Sequence, residues 1–417
     1  MPSTHTAPRL TPEIETACAC YLQTATASNA HSTTRHNARR EAITLQTIRV
    51  STGRPYTVHV GTRLLEQAGE MIREACSGAK AMIVTDSNVG PLYASIVQKS
   101  LVEAGYDVAV HTFPAGEEHK RAATLIDILE DMAAHEFTRE DVVVALGGGV
   151  VGDVAGLAAA TYMRGCKLAQ MPTSLLAMVD SSVGGKTAID LEGGKNLAGA
   201  FWQPWVVLAD VGCLGTLTPE QFADGCGEVI KHGVIRDPEL FEFLEETPLT
   251  YELLLQSLST VERIVARNVA IKRDVVQADE RESNLRKLLN FGHSIGHAVE
   301  AGEQYRLGHG TCVAIGMTMI SRAAATRGIC SEDVPRRIDA LCRRHGLDTA
   351  CGRTVEEIYA AALHDKKRRG GHIDLVIPRA IGDCVIVTTP LDEFRAFIED
   401  GLAVTAEQQD SPVEVDA

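Results

Sequence analysis

The segment Ala145–Asp210 decides the fold and the chemistry of this chain, and it reads ALGGGVVGDVAGLAAATYMRGCKLAQMPTSLLAMVDSSVGGKTAIDLEGGKNLAGAFWQPWVVLAD. Two glycine-rich turns interrupt it, and three cations, Arg164, Lys186 and Lys195, lie in an otherwise largely apolar sequence. Glycine lets the backbone approach a ligand closely, and lysine or arginine adds positive charge beside it. The segment therefore predicts a centre that handles phosphates and nucleotides.

Composition narrows the class of protein around this segment. A chain of 417 residues has room for about two domains. Its net charge of -15 argues against a nucleic-acid-binding protein, which needs a basic face. No run approaches the roughly 20 apolar residues of a membrane-spanning helix. The eleven cysteines have no framework spacing, which favours reduced thiols in a cytoplasmic protein.

Strand and helix patterns alternate before and into this segment. We predict strands at ITLQTIRV, YTVHV, AMIVTD, Tyr106–Phe113 and VVVAL, and helices at Arg63–Ala75, Pro91–Ala104 and His119–His135. The alternation predicts an α/β domain at 43–214, with a Rossmann-like parallel sheet covered on both faces and a β-hairpin at its start.

The rest of the chain has mainly helical periodicity, which predicts a mostly helical domain at 215–402. The predicted helices are Pro219–Gly233, Pro238–Glu246, Leu253–Val276, Leu285–Ala301, His309–Arg327, Val334–His345 and Val355–Leu363, followed by a hairpin (HIDLVIP, DCVIVTT) and a helix from Leu391. Residues 1–42 lack a hydrophobic period and predict a disordered extension, and residues 403–417 predict an acidic tail.

Polar turns recur where the predicted parallel strands end. Asp86 and Asn88 follow one strand, Glu117 and Lys120 the next, and Gly147–Asp153 a third. Ligands of open α/β sheets bind at such ends, so these turns are candidates for one dinucleotide, with the Gly148 and Gly149 amides against its pyrophosphate. Each turn also has a plain structural explanation, a helix N-cap or a tight strand-to-helix turn.

The cations of the glycine-rich segment suggest an anionic substrate. Lys186 and Lys195 each follow a glycine pair, Asn196 adds a neutral donor and acceptor, and Arg164 can bind a carboxylate or phosphate with two hydrogen bonds. Any single cation is more often a solvated surface charge. Together they favour a substrate that carries both phosphate and carboxylate.

A metal site is suggested by His293, His297, His309 and Glu228. The first two histidines are four residues apart and share a helix face. A catalytic zinc usually takes three protein ligands, so four candidates compete for three places. Further candidates near this site are Lys231, Lys272, Arg286, Asn290, Lys366 and Lys367, of which Asn290 and Arg286 are expected one and two turns before His293 on a similar face.

In register and in order, the segments GGGVVGDVAGLAAATYMRG, MPTSLLAMVDSSVGGKTAID, GKNLAGAFWQP, GEVIKHGVI, LRKLLNFGHSIGHAVE and DKK resemble the 3-dehydroquinate synthase family, a branch of the sugar phosphate cyclases. The resemblance spans roughly Thr44–Asp400. It implies an NAD-binding domain, a helical metal domain and a homodimer.

The resemblance also implies residue roles. It makes Glu228, His293 and His309 the ligands of one divalent metal, zinc or cobalt. It implies NAD contacts at Asp86, Asn88, Glu117, Lys120, Gly148, Gly149, Asp153, Thr173, Ser174 and Thr216. It implies substrate contacts at Arg164, Asp180, Lys186, Lys195, Asn196, Lys231, Lys272, Arg286, Asn290, His297 and Lys366, with Lys186, His297, Lys231, Asn196 and Arg286 catalytic and Arg164 donated across the dimer.

The implied activity converts 3-deoxy-D-arabino-heptulosonate 7-phosphate to 3-dehydroquinate and phosphate in the shikimate pathway. Alternatives are a sister cyclase, of aminodehydroquinate or valiolone type, and a metal- and NAD-dependent polyol dehydrogenase. One departure is Thr311, where the family commonly has glutamate, and we expect it to alter contacts around the metal rather than abolish metal binding.

Overall fold

In a computed structural model of the chain, the residues described are 45–303, 306–366 and 371–403, without the side chains of 364–366. The predicted extension at 1–42, almost all of the predicted acidic tail, and Lys367 lie outside the described residues. The chain forms two compact units, one comprising residues up to Gly225 plus Leu249–Ser283, the other Cys226–Pro248 plus the chain from Asn284 onward.

This grouping differs from the predicted domain boundaries, which place Leu249–Ser283 in the helical domain. The stretch groups with the α/β unit because its long helix packs on the two N-terminal strands. Sequence separation hides this packing, since the hydrophobic face of a helix does not reveal its partner. The boundaries 43–214 and 215–402 thus stay a proposal.

The first unit is an α/β structure. Its strands are β1 (Gln46–Val50), β2 (Tyr56–Gly61), β3 (Lys80–Asp86), β4 (Asp107–Phe113), β5 (Val142–Gly147), β6 (Lys167–Pro172), β7 (Lys186–Leu191), β8 (Gly194–Phe201) and β9 (Val206–Asp210). Its helices are α1 (Leu64–Ala75), α2 (Gly90–Glu103), α3 (Ala122–Ala134), α4 (Gly149–Thr161), the start of α5 (Pro219–Arg236), α7 (Tyr251–Gln256) and α8 (Leu258–Ala278).

Seven strands of this unit form one sheet in the order β1-β2-β9-β6-β5-β3-β4. The β1–β2 pair is antiparallel and the other pairs are parallel, which confirms the predicted sheet and hairpin. Met82, Val84, Val143 and Ala145 pack in one core with α3 and α4. The intervening Ile83 is equally buried, as a strand covered on both faces requires.

Strands β6 to β9 were not assigned from sequence, and in β8 two glycines and a lysine obscure a strand pattern. β7 and β8 form a separate antiparallel ribbon that pairs Lys186 with Phe201. The ribbon packs on α4 and carries Lys186, Lys195 and Asn196. Asn196 adopts a left-handed backbone conformation, with φ of 56°.

The second unit is mostly helical. It contains most of α5, then α6 (Pro238–Glu246), α9 (His293–Gly302), α10 (His309–Thr326), α11 (Asp333–Arg344), α12 (Val355–Lys366), the hairpin β10 (His372–Ala380) and β11 (Asp383–Pro390), and α13 (Leu391–Leu402). None of the helices in the described residues is long and apolar enough to cross a membrane.

Two of the predicted helices are interrupted. The predicted helix Leu253–Val276 is two helices that meet at Ser257. The predicted helix Leu285–Ala301 is a 3-10 helix, Leu285–Asn290, followed by α9. The break is at Gly292, whose φ is 78° and where a Cβ would lie 2.7 Å from the Val313 carbonyl oxygen. The expectation that Arg286 and Asn290 share a helix face with His293 is therefore wrong.

Glycines bring α5, α9 and α10 into close contact. A Cβ on Gly227 would lie 2.5 Å from the Gly310 carbonyl oxygen, and one on Gly316 would lie 1.9 Å from the Gly292 carbonyl oxygen. Side chains larger than hydrogen would force these backbones apart. The close approach places Glu228 beside His309, because each is the sequence neighbour of a contacting glycine.

Candidate active site

The carboxyl ends of four adjacent parallel strands carry the predicted NAD contacts. β3 ends at Asp86, Glu117 follows β4, Gly148 follows β5, and Thr173 follows β6, and these strands are neighbours in the sheet. Gly148 precedes α4, and a Cβ there would meet nothing closer than the Ser174 hydroxyl at 3.6 Å. Open backbone at the start of a 13-residue helix fits a pyrophosphate.

Two of the predicted NAD contacts, Asp86 and Thr216, also form hydrogen bonds within the protein. Asp86 Oδ1 accepts hydrogen bonds from the amides of Asn88 (2.8 Å) and Val89 (2.9 Å) in the turn before α2, whose N-cap is Val89, so the N-cap interpretation of Asp86 is wrong. Thr216 shares a 2.7 Å hydrogen bond with the Tyr93 hydroxyl. Both side chains are held in place, and Tyr93 is a neighbour that the sequence analysis missed.

A network of hydrogen bonds and ion pairs around buried Lys120 joins the nucleotide candidates to the anion candidates of the same unit. Lys120 is 5% exposed and lies 2.6 Å from an Asp153 carboxylate oxygen. It also donates to Asn196 Oδ1 at 2.6 Å, while Lys195 lies 3.0 Å from Glu117. Burial raises the pKa of Asp153, against the opposing charge of Lys120. One network thus orders residues predicted for two ligands.

Two other predicted substrate contacts of this unit, Lys272 and Lys186, are paired with carboxylates. Lys272 lies 2.8 Å from Asp180 Oδ1 and Lys186 lies 2.7 Å from Glu282 Oε2. Glu282 has a left-handed backbone, with φ of 58°. The sequence analysis missed Glu282, whose only sequence signal is its place in the charged run DERES. Such pairs keep cations ordered, and a substrate anion can then compete for them.

The predicted metal ligands of the second unit meet at one buried oxygen. His293 Nε2 and His309 Nε2 each lie 3.6 Å from Glu228 Oε1. Two ligands of a tetrahedral ion with bonds of about 2.1 Å are about 3.4 Å apart. Glu228 is fully buried, and its Oε1 accepts no hydrogen bond from the residues described. An orphaned carboxylate oxygen beside two imidazoles fits a divalent cation.

His297 is close enough to be an alternative metal ligand. The ligand atoms of His293, His297 and His309 lie within 4.8 Å of one another. His297 differs in being exposed, whereas Glu228 is completely buried. Geometry alone therefore keeps four candidates, as the sequence did.

Neighbouring groups orient the two imidazoles. The Phe291 carbonyl oxygen lies 3.0 Å from His293 Nδ1, and Glu300 Oε2 lies 3.6 Å from His309 Nδ1. Each contact directs Nε2 of the ring toward Glu228. Carbonyl and carboxylate partners of this kind usually support metal-binding histidines. Glu300, buried on α9, is a further residue that sequence reasoning missed.

The electrostatics of this cluster favour a cation. Burial opposes ionisation of Glu228, but the Lys231 ammonium and the two histidines hold its pKa well below the ordinary value. Burial and Lys231 lower the pKa of His293 well below the usual range. Burial acts in the same direction on His309, but Glu228 and Glu300 outweigh it and raise the pKa of His309 to about 10. Two carboxylates thus attract positive charge to this point.

The remaining candidates of the second unit differ in burial. Lys231, 1% exposed, contacts Glu228 Oε2, which leaves Oε1 for a ligand. Arg286 is fully buried and Asn290 ends its 3-10 helix. Lys366 is the last residue of α12, and its side chain is not described.

Arg164 is separate from the other anion candidates of the first unit. It lines a cavity of about 480 Å³ with Arg54, Arg139, Glu140, Gly165, Cys166, Lys167, Trp202 and Trp205. No other predicted substrate contact lines this cavity. The side chain of Arg164 is exposed and makes no hydrogen bond or ion pair within the part of the chain that the structure describes.

Solved structures define the class of protein. A 2-epi-5-epi-valiolone synthase from Streptomyces hygroscopicus, with NAD+ and Zn2+ bound, is 31% identical with a TM-score of 0.76, covering 83% of this chain and 95% of that one. A 2-deoxy-scyllo-inosose synthase with carbaglucose-6-phosphate, NAD+ and Co2+ is 26% identical with the same TM-score, covering 85% of this chain and all of that one. Both are sugar phosphate cyclases, and their fold confirms the predicted fold class.

Family comparisons are more specific. The models of the 3-dehydroquinate synthase N-terminal and C-terminal domains match residues 110–224 and 225–368. The 3-dehydroquinate synthase of Streptococcus suis is 42% identical over 347 residues, which cover 83% of this chain and 97% of that protein. The chain belongs to the 3-dehydroquinate synthase family.

Proposed function

We propose that this protein is a 3-dehydroquinate synthase. It converts 3-deoxy-D-arabino-heptulosonate 7-phosphate to 3-dehydroquinate and phosphate, in aromatic amino acid biosynthesis. Transient oxidation, phosphate elimination, reduction, ring opening and intramolecular aldol closure give no net redox change. It is a phosphate-eliminating carbon–oxygen lyase that depends on NAD and one divalent metal, zinc or cobalt.

One observation carries this proposal. Identity of 40–42% to curated 3-dehydroquinate synthases extends over 82–83% of the chain and 97% of those proteins. It therefore includes the glycine-rich segment, the glutamate of α5 and the histidines of α9 and α10. The sister cyclases of solved structure are less similar, at 26–31% identity.

In the first unit, the proposed roles follow from charge and placement. Lys186, Lys195 and Asn196 lie on the β7–β8 ribbon, where they would hold the substrate phosphate and carboxylate. Lys272 and Asp180 would bind further polar groups of the sugar. Fixed cations of this kind stabilise negative charge that develops during elimination without having to reorganise.

The nucleotide would lie along the strand ends. The Gly148 and Gly149 amides would hold the pyrophosphate, and Asp86, Asn88, Glu117 and Thr216 would hydrogen-bond to the rest of it. The remaining assigned contacts are Lys120, Asp153, Thr173 and Ser174. Two relatives of known structure have NAD+ bound, which supports this cofactor here.

In the second unit, Glu228, His293 and His309 would hold the metal. When bound, the metal polarises a substrate hydroxyl as a Lewis acid and NAD exchanges hydride with the carbon that bears it. Lys231 holds Glu228 Oε2 and can donate a hydrogen bond to substrate oxygen. His297 is exposed, so it can take up or release a proton at the substrate. Arg286, Asn290 and Lys366 would complete the substrate contacts.

We also propose a cytoplasmic homodimer in which Arg164 serves the site of the second copy. The cysteines that the structure describes are free thiols, as a reducing compartment requires. Mixing tests the shared site, because a Lys186→Ala copy paired with an Arg164→Ala copy contains one intact site. We expect roughly a quarter of wild-type activity after random reassortment of such dimers, and no recovery if Arg164 serves its own copy.

The activity itself is tested with purified protein, the heptulosonate phosphate, NAD+ and zinc. Phosphate release and product mass are followed together, and 3-dehydroquinate should form in equal amount to phosphate. Release of phosphate with another product would indicate a sister cyclase, with an aminated substrate as the first alternative to assay. Steady accumulation of NADH would indicate a polyol dehydrogenase.

The dehydrogenase alternative has weaker support. A 1,3-propanediol oxidoreductase has a TM-score of 0.62 but 14% identity, which shows a shared fold and no more. A polyol dehydrogenase also has no need for several cations aimed at a phosphate and a carboxylate.

A further inference from the structure

The turn that carries Arg164 has an unusual backbone. Met163, Arg164 and Gly165 have φ values of 47°, 66° and 118°, so three consecutive residues are left-handed. Only the last of them is glycine, and residues with a Cβ rarely adopt this conformation. The turn directly follows α4 and precedes β6, both of which are buried. Such strain persists only where the surroundings impose it.

One side of the turn is held by Arg139. Its Nε and Nη2 donate to the Met163 carbonyl oxygen at 3.2 and 2.9 Å. Two donors on one oxygen restrict the rotation of the peptide that joins Met163 to Arg164. Arg139 thus acts directly on the backbone of the residue that presents the guanidinium.

The other side of the turn is held by Trp202. Its indole nitrogen donates to the Cys166 carbonyl oxygen at 3.0 Å, and a Cβ at Gly165 would lie 2.4 Å from its ring. The indole is itself backed by Arg54, whose guanidinium carbon lies 4.7 Å from the Trp202 ring centroid and 3.7 Å from that of Trp205. The backbone on both sides of Arg164 is therefore held.

The Arg164 side chain, at the centre of this arrangement, has no hydrogen-bond or ion-pair partner in the described part of its own chain. Arg164 is exposed and forms no hydrogen bond or ion pair there, whereas Arg139 and Lys167 in the same cavity are bonded to backbone carbonyls. Because its backbone is held in place and its guanidinium has no partner there, Arg164 is positioned to bind an anion from outside this part of the chain.

We propose that Arg139 and Trp202 are positioning residues that hold the turn 162–165 so that Arg164 reaches the phosphate of a substrate bound by a second copy of the chain. This inference rests on the proposed function, which assigns Arg164 to substrate. It adds residues that do not touch substrate but set the position of one that does. Placement errors of about 1 Å at a reacting group can cost roughly 100-fold in rate.

A double-mutant cycle with Arg139→Ala and Arg164→Ala tests this inference. Loss of Arg164 should lower kcat/KM by roughly 100-fold, because a charge-assisted contact to phosphate is removed. Arg139→Ala should lower it by roughly 10-fold, mainly through KM, and the double variant should be no worse than Arg164→Ala alone. Arg139→Lys keeps one donor and should recover part of the loss. Arg49→Ala, an exposed arginine on β1, is the control and should behave as wild type.

Separate readouts distinguish positioning from damage. NAD affinity, measured by fluorescence titration, and melting temperature should change little in Arg139→Ala. Losses that multiply in the double variant would mean that Arg139 acts independently of Arg164, and a matching loss of NAD affinity or of melting temperature would mean that it acts on stability; either result would overturn the inference. The inference would also be overturned if Arg139→Ala had wild-type activity while Arg164→Ala was defective. Wild-type activity in Arg164→Ala would instead refute the proposed role of Arg164.

Discussion

Replacement of Glu300 should weaken metal binding although Glu300 is not assigned as a ligand. Its carboxylate lies 3.6 Å from His309 Nδ1, is buried on α9, and helps raise the pKa of His309 to about 10. The contact directs His309 Nε2 toward Glu228 Oε1 and makes the ring a better donor. Loss of such a partner typically costs 10- to 100-fold in metal affinity, about 1.4 to 2.8 kcal/mol.

Two substitutions separate charge from contact. Glu300→Gln keeps an oxygen acceptor and loses the charge, so we expect zinc affinity to fall about 10-fold; Glu300→Ala removes both and should cost about 100-fold. Zinc is titrated into chelator-treated protein against a chromophoric competitor. In Co2+-loaded protein, the visible absorption bands should shift for both variants, a readout independent of catalysis.

Glu303→Gln provides the matched control. Glu303 immediately follows α9, and its carboxylate binds Arg353 at 2.9 Å rather than a histidine. Zinc affinity should be unchanged in this variant. Unaltered affinity in Glu300→Ala, with weakened binding in His309→Ala, would refute the positioning of His309 by Glu300. Unaltered affinity in His309→Ala would refute the metal site itself.

Three other perturbations test separate parts of the molecule. Lys186→Ala should reduce turnover at least 100-fold while NAD affinity stays within about twofold, and equal loss of both would mean that Lys186 is misplaced. Lys120→Met removes the ammonium 2.6 Å from Asp153, so burial should raise the pKa of Asp153 further and leave Asp153 and Asn196 without this donor; unfolding free energy should fall by roughly 1–3 kcal/mol, as chemical denaturation would show. Burial raises the pKa of Glu262 from 4.5 to about 7, so the folded chain keeps a proton that the unfolded chain releases, and stability falls as pH rises from 4.5 to 7. Glu262→Gln should therefore raise the melting temperature near pH 8, because it removes a penalty of at most about 3 kcal/mol, and should have little effect near pH 4.5. Glu70→Gln, at an exposed position, is the control and should not show this pH-dependent gain.

Periodicity predicted the elements well where one pattern dominated. The helices before Ala145 and the strands β3 and β5 lie within a few residues of their predicted positions, because alternating buried strands and amphipathic helices give distinct patterns. The method failed where backbone geometry overrides composition. Gly292 ends what looks like one continuous helix, and the β7–β8 ribbon carries too many glycines and charges to resemble strands.

The candidate site was predictable only as a set of residue types. His293 and His297 on one helix face, and lysines after glycine pairs, were visible from spacing. Glu282 and Glu300 were not, since a carboxylate paired with a lysine or a histidine far away in sequence has no local signature. The role of Arg139 was equally hidden, because it acts on the carbonyl oxygen of Met163, 24 positions later.

The sequence by itself determined the kinds of chemistry available to this protein: a glycine turn after a buried strand, several cations in an apolar segment, and a carboxylate with three histidines. Spacing along one strand or helix is enough for these, since local geometry relates neighbours within a few residues. Only the tertiary structure decided that Glu228 Oε1 stands between His293 and His309, because glycine contacts between separate helices set that distance. It also decided which side chains hold Arg164 in place, since the strain of that turn is balanced by groups from other elements of the fold.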